Sequence, residues 1–281
     1  ICRALSPTRP VPKKITGIAE SITVLMVEDD ATNSMVTNHY LQHLGHQVTA
    51  TQSGEEALTI LDKGGLSLIL LDISLPGIDG LTILNYIRTH TDKTIANLPV
   101  IAMSAHVFTE EVDYYLCAGM NGFLGKPFSL EDLEHAIIEA ISGHEVIITN
   151  TSQGGDPDKF SPFDTSVIEN DICRLGLASV EKLATLFFQS TKPLKAELIE
   201  AMEQDNFEKL AKLAHRLNGA AGNFGLQRLC ALLARIEIQA NNGTNLTTAL
   251  LEQFESEYDG AIAALSSYLS EQKAPSQEIP A

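Results

Sequence analysis

From Ser21 onward short apolar runs alternate with amphipathic stretches, and this alternation constrains the fold more than any other feature of the chain. It predicts strands over residues 22–27, 47–51, 66–71, 100–103 and 122–124. Helices are predicted over 32–44, 55–63, 81–89, 109–118 and 130–142. Two helix starts carry a capping pattern, Ser53 with Glu56 and Ser129 with Asp132, in each case three residues apart. Five strand–helix units in about 120 residues predict an α/β domain, a doubly wound five-stranded parallel sheet.

The pattern changes at Gly143. Gly154, Gly155, Pro157 and Pro162 stand among Ser, Thr, Asn and Asp, which reads as a linker or a loosely packed connection. Beyond it every periodic segment is helical. Leu183, Leu186, Phe187, Leu194, Leu198 and Met202 form one stripe, and further stripes follow at 207–217, 226–236 and 250–269. Four such helices with short connections predict an all-α antiparallel four-helix bundle. Pro193 is expected to bend or break the first of them. The expected organisation is an amino-terminal linker (1–20), the α/β domain (21–142), a linker (143–162), the bundle (163–272) and a tail (273–281).

At 281 residues the chain has room for about two domains of ~150 residues. Nineteen Lys plus Arg against 36 Asp plus Glu leave a net charge of −17, which repels phosphate backbones and makes nucleic acid an unexpected direct partner. No apolar run approaches the ~20 residues of a spanning helix. Four scattered cysteines form neither a zinc motif nor a disulfide framework, so a reducing, cytoplasmic setting is expected, with the thiols structural. The chain starts at Ile1 and reads as cut from something longer.

In a doubly wound sheet, functional side chains collect beyond the carboxyl ends of the strands. Here those positions hold Glu28-Asp29-Asp30, Asp72, Ser104 and Lys126. Unit charges ~4 Å apart interact by about 4 kcal/mol at an effective dielectric near 20, so Glu28, Asp29 and Asp72 cluster only around a cation. Mg2+ meets that need with oxygen ligands and open water positions. Asp72, with Ser104 and the Lys126 ammonium beside it, is then a nucleophile for phosphorus, and an aspartyl phosphate is the product. Singly, an Asp at a strand end is most often a helix cap and a Lys a solvated surface group. Four strand ends showing acid, acid, hydroxyl and Lys-Pro in order outweigh that reading.

Val-Glu-Asp-Asp (27–30), Leu-Leu-Asp-Ile-Ser-Leu-Pro-Gly-Ile-Asp-Gly (70–80), Ile-Ala-Met-Ser-Ala (101–105) and Gly-Phe-Leu-Gly-Lys-Pro-Phe (122–128) resemble the response-regulator receiver domain, a flavodoxin-like fold. The resemblance spans about 22–142. It implies Asp72 as phosphoacceptor, Asp29 as a direct Mg2+ ligand, Glu28 as a ligand directly or through water, and the Ser74 carbonyl as the last protein ligand. It also implies Ser104 and Phe123 as the hydroxyl and aromatic switch positions.

Of eight histidines, seven read as ordinary surface or satisfied residues. His215 differs through its helical neighbours, Ala211, Lys212, Asn218 and Gly219, with Gly222 two turns on. Glycine inside a helix costs about 1 kcal/mol relative to Ala, so two on one face suggest room for another protein to approach. An exposed imidazole there suits attack on an acyl phosphate. Residues 214–225, Ala-His-Arg-Leu-Asn-Gly-Ala-Ala-Gly-Asn-Phe-Gly, resemble the histidine phosphotransfer (HPt) motif. The family usually has Lys where this chain has Asn218, so transfer is slower here or Lys212 and Arg216 supply the charge.

Together the two modules look like the C-terminal half of a hybrid sensor histidine kinase, with trimethylamine-N-oxide-type and anaerobic-redox sensors as candidate parents. The resemblance implies a phosphorelay in which Asp72 accepts a phosphoryl group from a kinase core, in cis or in trans, and passes it to His215. A downstream response regulator receives it from there. No small-molecule substrate is evident, and the segment carries no ATP-binding glycine boxes. The parent is expected to be anchored in the inner membrane. A phosphatase of the haloacid-dehalogenase kind would want Asp-x-Asp, but Ile73 and Ser74 follow Asp72. A flavodoxin would not place Glu28-Asp29-Asp30 against FMN phosphate. A docking scaffold with one or both phosphosites silent is the remaining alternative.

Overall fold

The computed structural model describes residues 21–104, 109–149, 160–243 and 247–273. The expected linker at 1–20, half of the central linker (150–159) and nearly all of the tail lie outside them, as does His106. Six strands, β1 (Thr23–Val27), β2 (Gln47–Thr51), β3 (Leu68–Asp72), β4 (Val100–Ser104), β5 (Gly122–Gly125) and β6 (Val146–Ile148), form one sheet in the order β2-β1-β3-β4-β5-β6. Every adjacent pair is parallel.

The expected five-stranded sheet is thus corrected to six. β6 lies in the stretch read as linker, where three β-branched residues pair along β5. A Cβ on Gly122 would fall 2.5 Å from Val146 Cγ1, so this glycine lets the edge strand approach.

The helices flanking the sheet are α1 (Ala31–His43), α2 (Gly54–Leu61), α3 (Gly80–Thr89), α4 (Lys93–Ala96), α5 (Thr109–Ala118) and α6 (Leu130–Ile141). Both expected caps form: Ser53 accepts from the Glu56 amide, and Ser129 and Asp132 make a reciprocal capping box. Period-two alternation splits the strands between two apolar layers. Leu25, Val27, Ile69, Leu71, Ala102 and Phe123 pack with α2 and α3 residues. Val24, Met26, Leu68, Leu70, Met103 and Leu124 belong to the opposite layer with α1 and α6.

That second layer does not stop at the sheet. It continues through Val36, Tyr40 and Leu41 of α1 into Ile168, Leu183 and Phe187 of the helical region. There α7 (Thr165–Leu175) precedes four longer helices, α8 (Leu177–Glu203), α9 (Phe207–Gly222), α10 (Gln227–Asn241) and α11 (Thr248–Lys273). α8 packs on α9, α9 on α10, α10 on α11 and α11 back on α8, which closes the bundle. α1 seats on α8 and α9.

Of the two effects expected of Pro193, a break is not seen: α8 runs on through it. Its ring removes the bond to the Gln189 carbonyl, yet Phe187, Leu194 and Leu198 are buried on either side and hold the helix through it. Cys117 and Cys173 are exposed, so among the described cysteines only Cys230 is buried as expected of a structural thiol. Among the described residues no helix is long and apolar enough to cross a membrane.

Candidate functional site

Strand order reverses between β1 and β3, and the crevice at their carboxyl ends is where such sheets bind ligands. Glu28 follows β1 directly and its amide donates to the Thr51 carbonyl at 3.0 Å. Asp72 ends β3, and its Oδ1 accepts from the Ser74 amide at 2.8 Å. Ser104 ends β4, opposite Gly125, and its carbonyl accepts the Lys126 amide at 2.7 Å. Gly80 packs beneath the site: a Cβ there would fall 2.7 Å from the Asp72 carbonyl oxygen.

Lys126 joins these elements. Its Nζ lies 2.5 Å from Glu28 Oε2 and 2.6 Å from Asp72 Oδ2, with all three side chains buried. Burial alone would lower the lysine's pKa, but the two carboxylates outweigh it and hold the ammonium well above its ordinary value. Burial likewise opposes ionisation of Asp72, but Lys126 and the Ser74 amide bring its carboxyl below the usual range, so it is ionised. Glu28 goes the other way: burial, aided by the charge of Asp72, lifts it to about 7 against the pull of Lys126. Half-burial and Asp72 also raise Asp29.

One lysine thus leaves this group short of positive charge. Oxygens of Glu28, Asp29 and Asp72 lie within 4.8 Å of one another, and Glu28 Oε1 is buried with no hydrogen-bond partner. A hard divalent cation such as Mg2+ fits an orphaned carboxylate oxygen in an all-oxygen donor set. Asp30, the third acid of the run, faces elsewhere. It caps α1 through the Thr32 and Asn33 amides, and its Oδ2 lies 3.2 Å from Arg216 Nε.

Arg216 belongs to α9, and the helical bundle sits over this crevice. Asn223 Nδ2 donates to Asn33 Oδ1 at 3.1 Å, and Thr32 Oγ1 donates to Ser190 Oγ at 2.7 Å. The glycine face of α9 is filled by the receiver-like half. A Cβ on Gly222 would fall 2.6 Å from Pro127 Cγ, and one on Gly219 2.9 Å from Asn33 Nδ2. The space that the glycines leave is occupied by this chain's own first domain.

His215 lies on the same face, close enough that its charge and those of Asp72 and Lys126 act on one another. It is less open than expected, with a side chain 22% exposed, and its Nδ1 lies 3.0 Å from Oε1 of buried Glu237 on α10. A carboxylate can only accept, so Nδ1 carries the proton and the lone pair resides on Nε2. Burial would lower the imidazole's pKa, but Glu237 more than offsets it and the net shift is upward. Lys212 is exposed and pairs with Glu208 at 2.8 Å, while Arg216 is drawn to Asp30, so both cations near His215 are engaged by carboxylates. Phe123 is fully buried and stacks on Tyr115 with centroids 6.2 Å apart.

Glu237 and the Asp30–Arg216 pair were not anticipated. Glu237 had a signal: it interrupts the apolar stripe Leu229, Leu233, Ile236 and Ala240 of α10 with a charge. A carboxylate on a core-facing stripe needs a partner.

An acid crevice at a switch point of a receiver-type sheet therefore faces a helix-borne histidine of the bundle. Residues 24–138 match the response regulator receiver domain family and residues 182–268 match the Hpt domain family. The chain thus carries a receiver domain and an Hpt domain, the two domain types from which phosphorelay modules of two-component systems are built. It is similar to the sensor histidine kinase AruS of Pseudomonas aeruginosa, 30% identical over 220 residues, covering 78% of this chain and 21% of that protein. BarA of Escherichia coli is 27% identical over 241 residues, covering 83% and 26%, and the sensor protein TorS of the same species is 25% identical, covering 83% and 24%. The chain therefore spans about a fifth to a quarter of these relatives. Among solved structures, the receiver domain of sensor histidine kinase PA1611 from Pseudomonas aeruginosa, described with magnesium ion coordinated in the active site cleft, is 30% identical. It covers 44% of this chain and 99% of that one, with a TM-score of 0.40.

Proposed function

We propose that Asp72 accepts a phosphoryl group from a kinase phosphohistidine and passes it to His215, which delivers it to the receiver of a separate response regulator. The observation that carries this reading is the ionised Asp72 carboxylate, held by Lys126 and facing the imidazole of His215 across the two domains.

In the first step an Asp72 oxygen attacks phosphorus, the P–N bond to the donor imidazole breaks, and that nitrogen keeps the electron pair. In the second, His215 Nε2 attacks the acyl phosphate, the P–O bond to Asp72 breaks, and the carboxylate is regenerated. Glu237, accepting from Nδ1, orients the ring and balances the imidazolium charge as it forms. Lys126 Nζ and the Ser104 hydroxyl serve the equatorial phosphoryl oxygens. Glu28, Asp29 and Asp72, with the Ser74 carbonyl, would hold Mg2+. When bound, the ion would neutralise charge on the phosphoryl oxygens.

The phosphoryl donor is a histidine kinase core, in cis or in trans. The parent is read as an inner-membrane sensor with this segment on the cytoplasmic side, in keeping with the sensor names of its relatives. Several sensors match at comparable identity, so the match does not single out one type of parent.

Asn218, at the position where the resemblance expects Lys, favours the competing reading of a docking scaffold with a silent phosphosite. Incubation with a phosphorylated kinase core separates the two. Label on the wild type and none on Asp72→Asn supports the relay. Equal labelling of both defeats it.

A further inference from the structure

We propose that Asp171 selects which receiver occupies the His215 face, accepting one whose first helix presents a hydroxyl donor and rejecting one that presents only carbon. The inference deepens the proposed relay by naming a partner-discriminating residue, and it rests on that reading for the purpose of the face.

Tyr40 of α1 donates its hydroxyl to Asp171 Oδ2 of α7 at 2.8 Å. Tyr40 is 1% exposed and Asp171 6%. The bond lies within the continuous apolar layer joining the two domains, away from the acid crevice. Other interdomain polar contacts among the described residues, Arg216 to Asp30, Asn223 to Asn33, Thr32 to Ser190 and Arg174 to Glu134 at 3.3 Å, are partly or wholly exposed and tolerate water as a substitute. Asp171 has no such alternative while the domains are docked. Besides Tyr40, the charge acting on it is that of Arg174, one turn further along α7.

An apolar pair of similar shape would hold this interface at least as well, so the polar pair adds discrimination more than strength. A receiver with Phe or Leu at the Tyr40 position would fill the same volume but strand a buried carboxylate. An unsatisfied buried acceptor of that kind weakens association by about ten-fold or more. α7 lies outside the 182–268 match to the Hpt family, so this filter is carried by a helix added to that core.

The test is native-state hydrogen exchange on the full chain, read over α1 and α7. Tyr40→Phe should speed exchange there by about ten-fold, with protection in β3 and β4 unchanged. In the Asp171→Leu background Tyr40→Phe should have little or no effect, because no carboxylate is left to satisfy. Equal protection in wild type and Tyr40→Phe, or the same loss in both backgrounds, overturns the proposal. Faster exchange in β3 and β4 as well would mean that the tyrosine supports the receiver fold itself, which also overturns it. The measurement uses no phosphoryl group, so a chain that docks as described and fails to label would reject the relay and leave this inference standing.

Discussion

His215 Nδ1 and Glu237 Oε1 stand 3.0 Å apart, an imidazole on α9 held by a carboxylate on α10 across the packed heart of the bundle. Two consequences follow, a fixed tautomer and a fixed ring plane. Glu237→Ala should slow phosphoryl transfer through His215 by about ten-fold or more, the ordinary effect of losing an orienting partner. Glu237→Gln, which can still accept through its amide oxygen, should recover part of the rate. Rapid-quench measurements on the three proteins decide it, and equal rates would leave the contact without a catalytic role.

The glycine face of α9 gives a prediction in which helix stability and docking move in opposite directions. Gly222→Ala, at the last residue of α9, improves the helix by at most about 1 kcal/mol. Its methyl, however, would meet the Pro127 ring at 2.6 and 2.7 Å, and overpacking of that kind costs ~1–3 kcal/mol. Interdomain transfer should fall while the bundle melts no lower. Gly219→Ala should be milder, since it meets the end of the Asn33 side chain, which can swing away. Comparing thermal melts with transfer rates for both variants checks the contrast.

Asp171 gives the pH dependence. Burial lifts its carboxyl from the usual 3.8 to about 6, against the opposing pulls of the Tyr40 hydroxyl and Arg174. A raised folded-state value means that the folded, docked chain binds the proton more tightly than the unfolded one. The resulting stabilisation is complete below about 3.8 and is lost as pH rises through about 6. Its ceiling is about 3 kcal/mol from the size of the shift. Urea midpoints should therefore fall between about pH 4 and 6 more in wild type than in Asp171→Asn. Parallel pH profiles for the two would contradict the assignment.

Lys126 is the ammonium shared by Glu28 and Asp72. Lys126→Met keeps the stem and removes the charge, leaving buried like-charged carboxylates together. Breaking a buried pair in this way costs ~3–5 kcal/mol. The urea midpoint should drop sharply without divalent ions and recover in part with added Mg2+. A midpoint insensitive to the substitution would mean that the carboxylates carry less charge than their surroundings imply.

The strand-end chemistry was legible because so few residue types can stand there: Asp72, Ser104 and Lys126 each end or follow a strand, where side chains point into one crevice. The amphipathic stripes of α8 to α11 were legible for the same kind of reason, a 3.6-residue period over long spans. β6 was hidden because three residues are too few to show alternation beside a Gly-rich and Pro-rich stretch. That α8 stays unbroken at Pro193 was not legible because a local rule about proline does not see the packing that holds the helix together. The partners Tyr40 and Asp171, 131 positions apart, carry no mutual signal in a single sequence. The glycine face announced that something docks there, and only the fold shows that the first domain does.

The most direct test follows the chemistry of the label with time in the full chain after a pulse from a phosphorylated kinase core. Acyl phosphate is cleaved by alkali as well as by acid, whereas phosphohistidine is acid-labile but survives alkali. Label should appear first as alkali-labile adduct and convert to the alkali-stable, acid-labile form in wild type, and His215→Gln should hold it in the first form. Alkali-stable, acid-labile label arising in Asp72→Asn, or no conversion in wild type, would contradict transfer from Asp72 to His215.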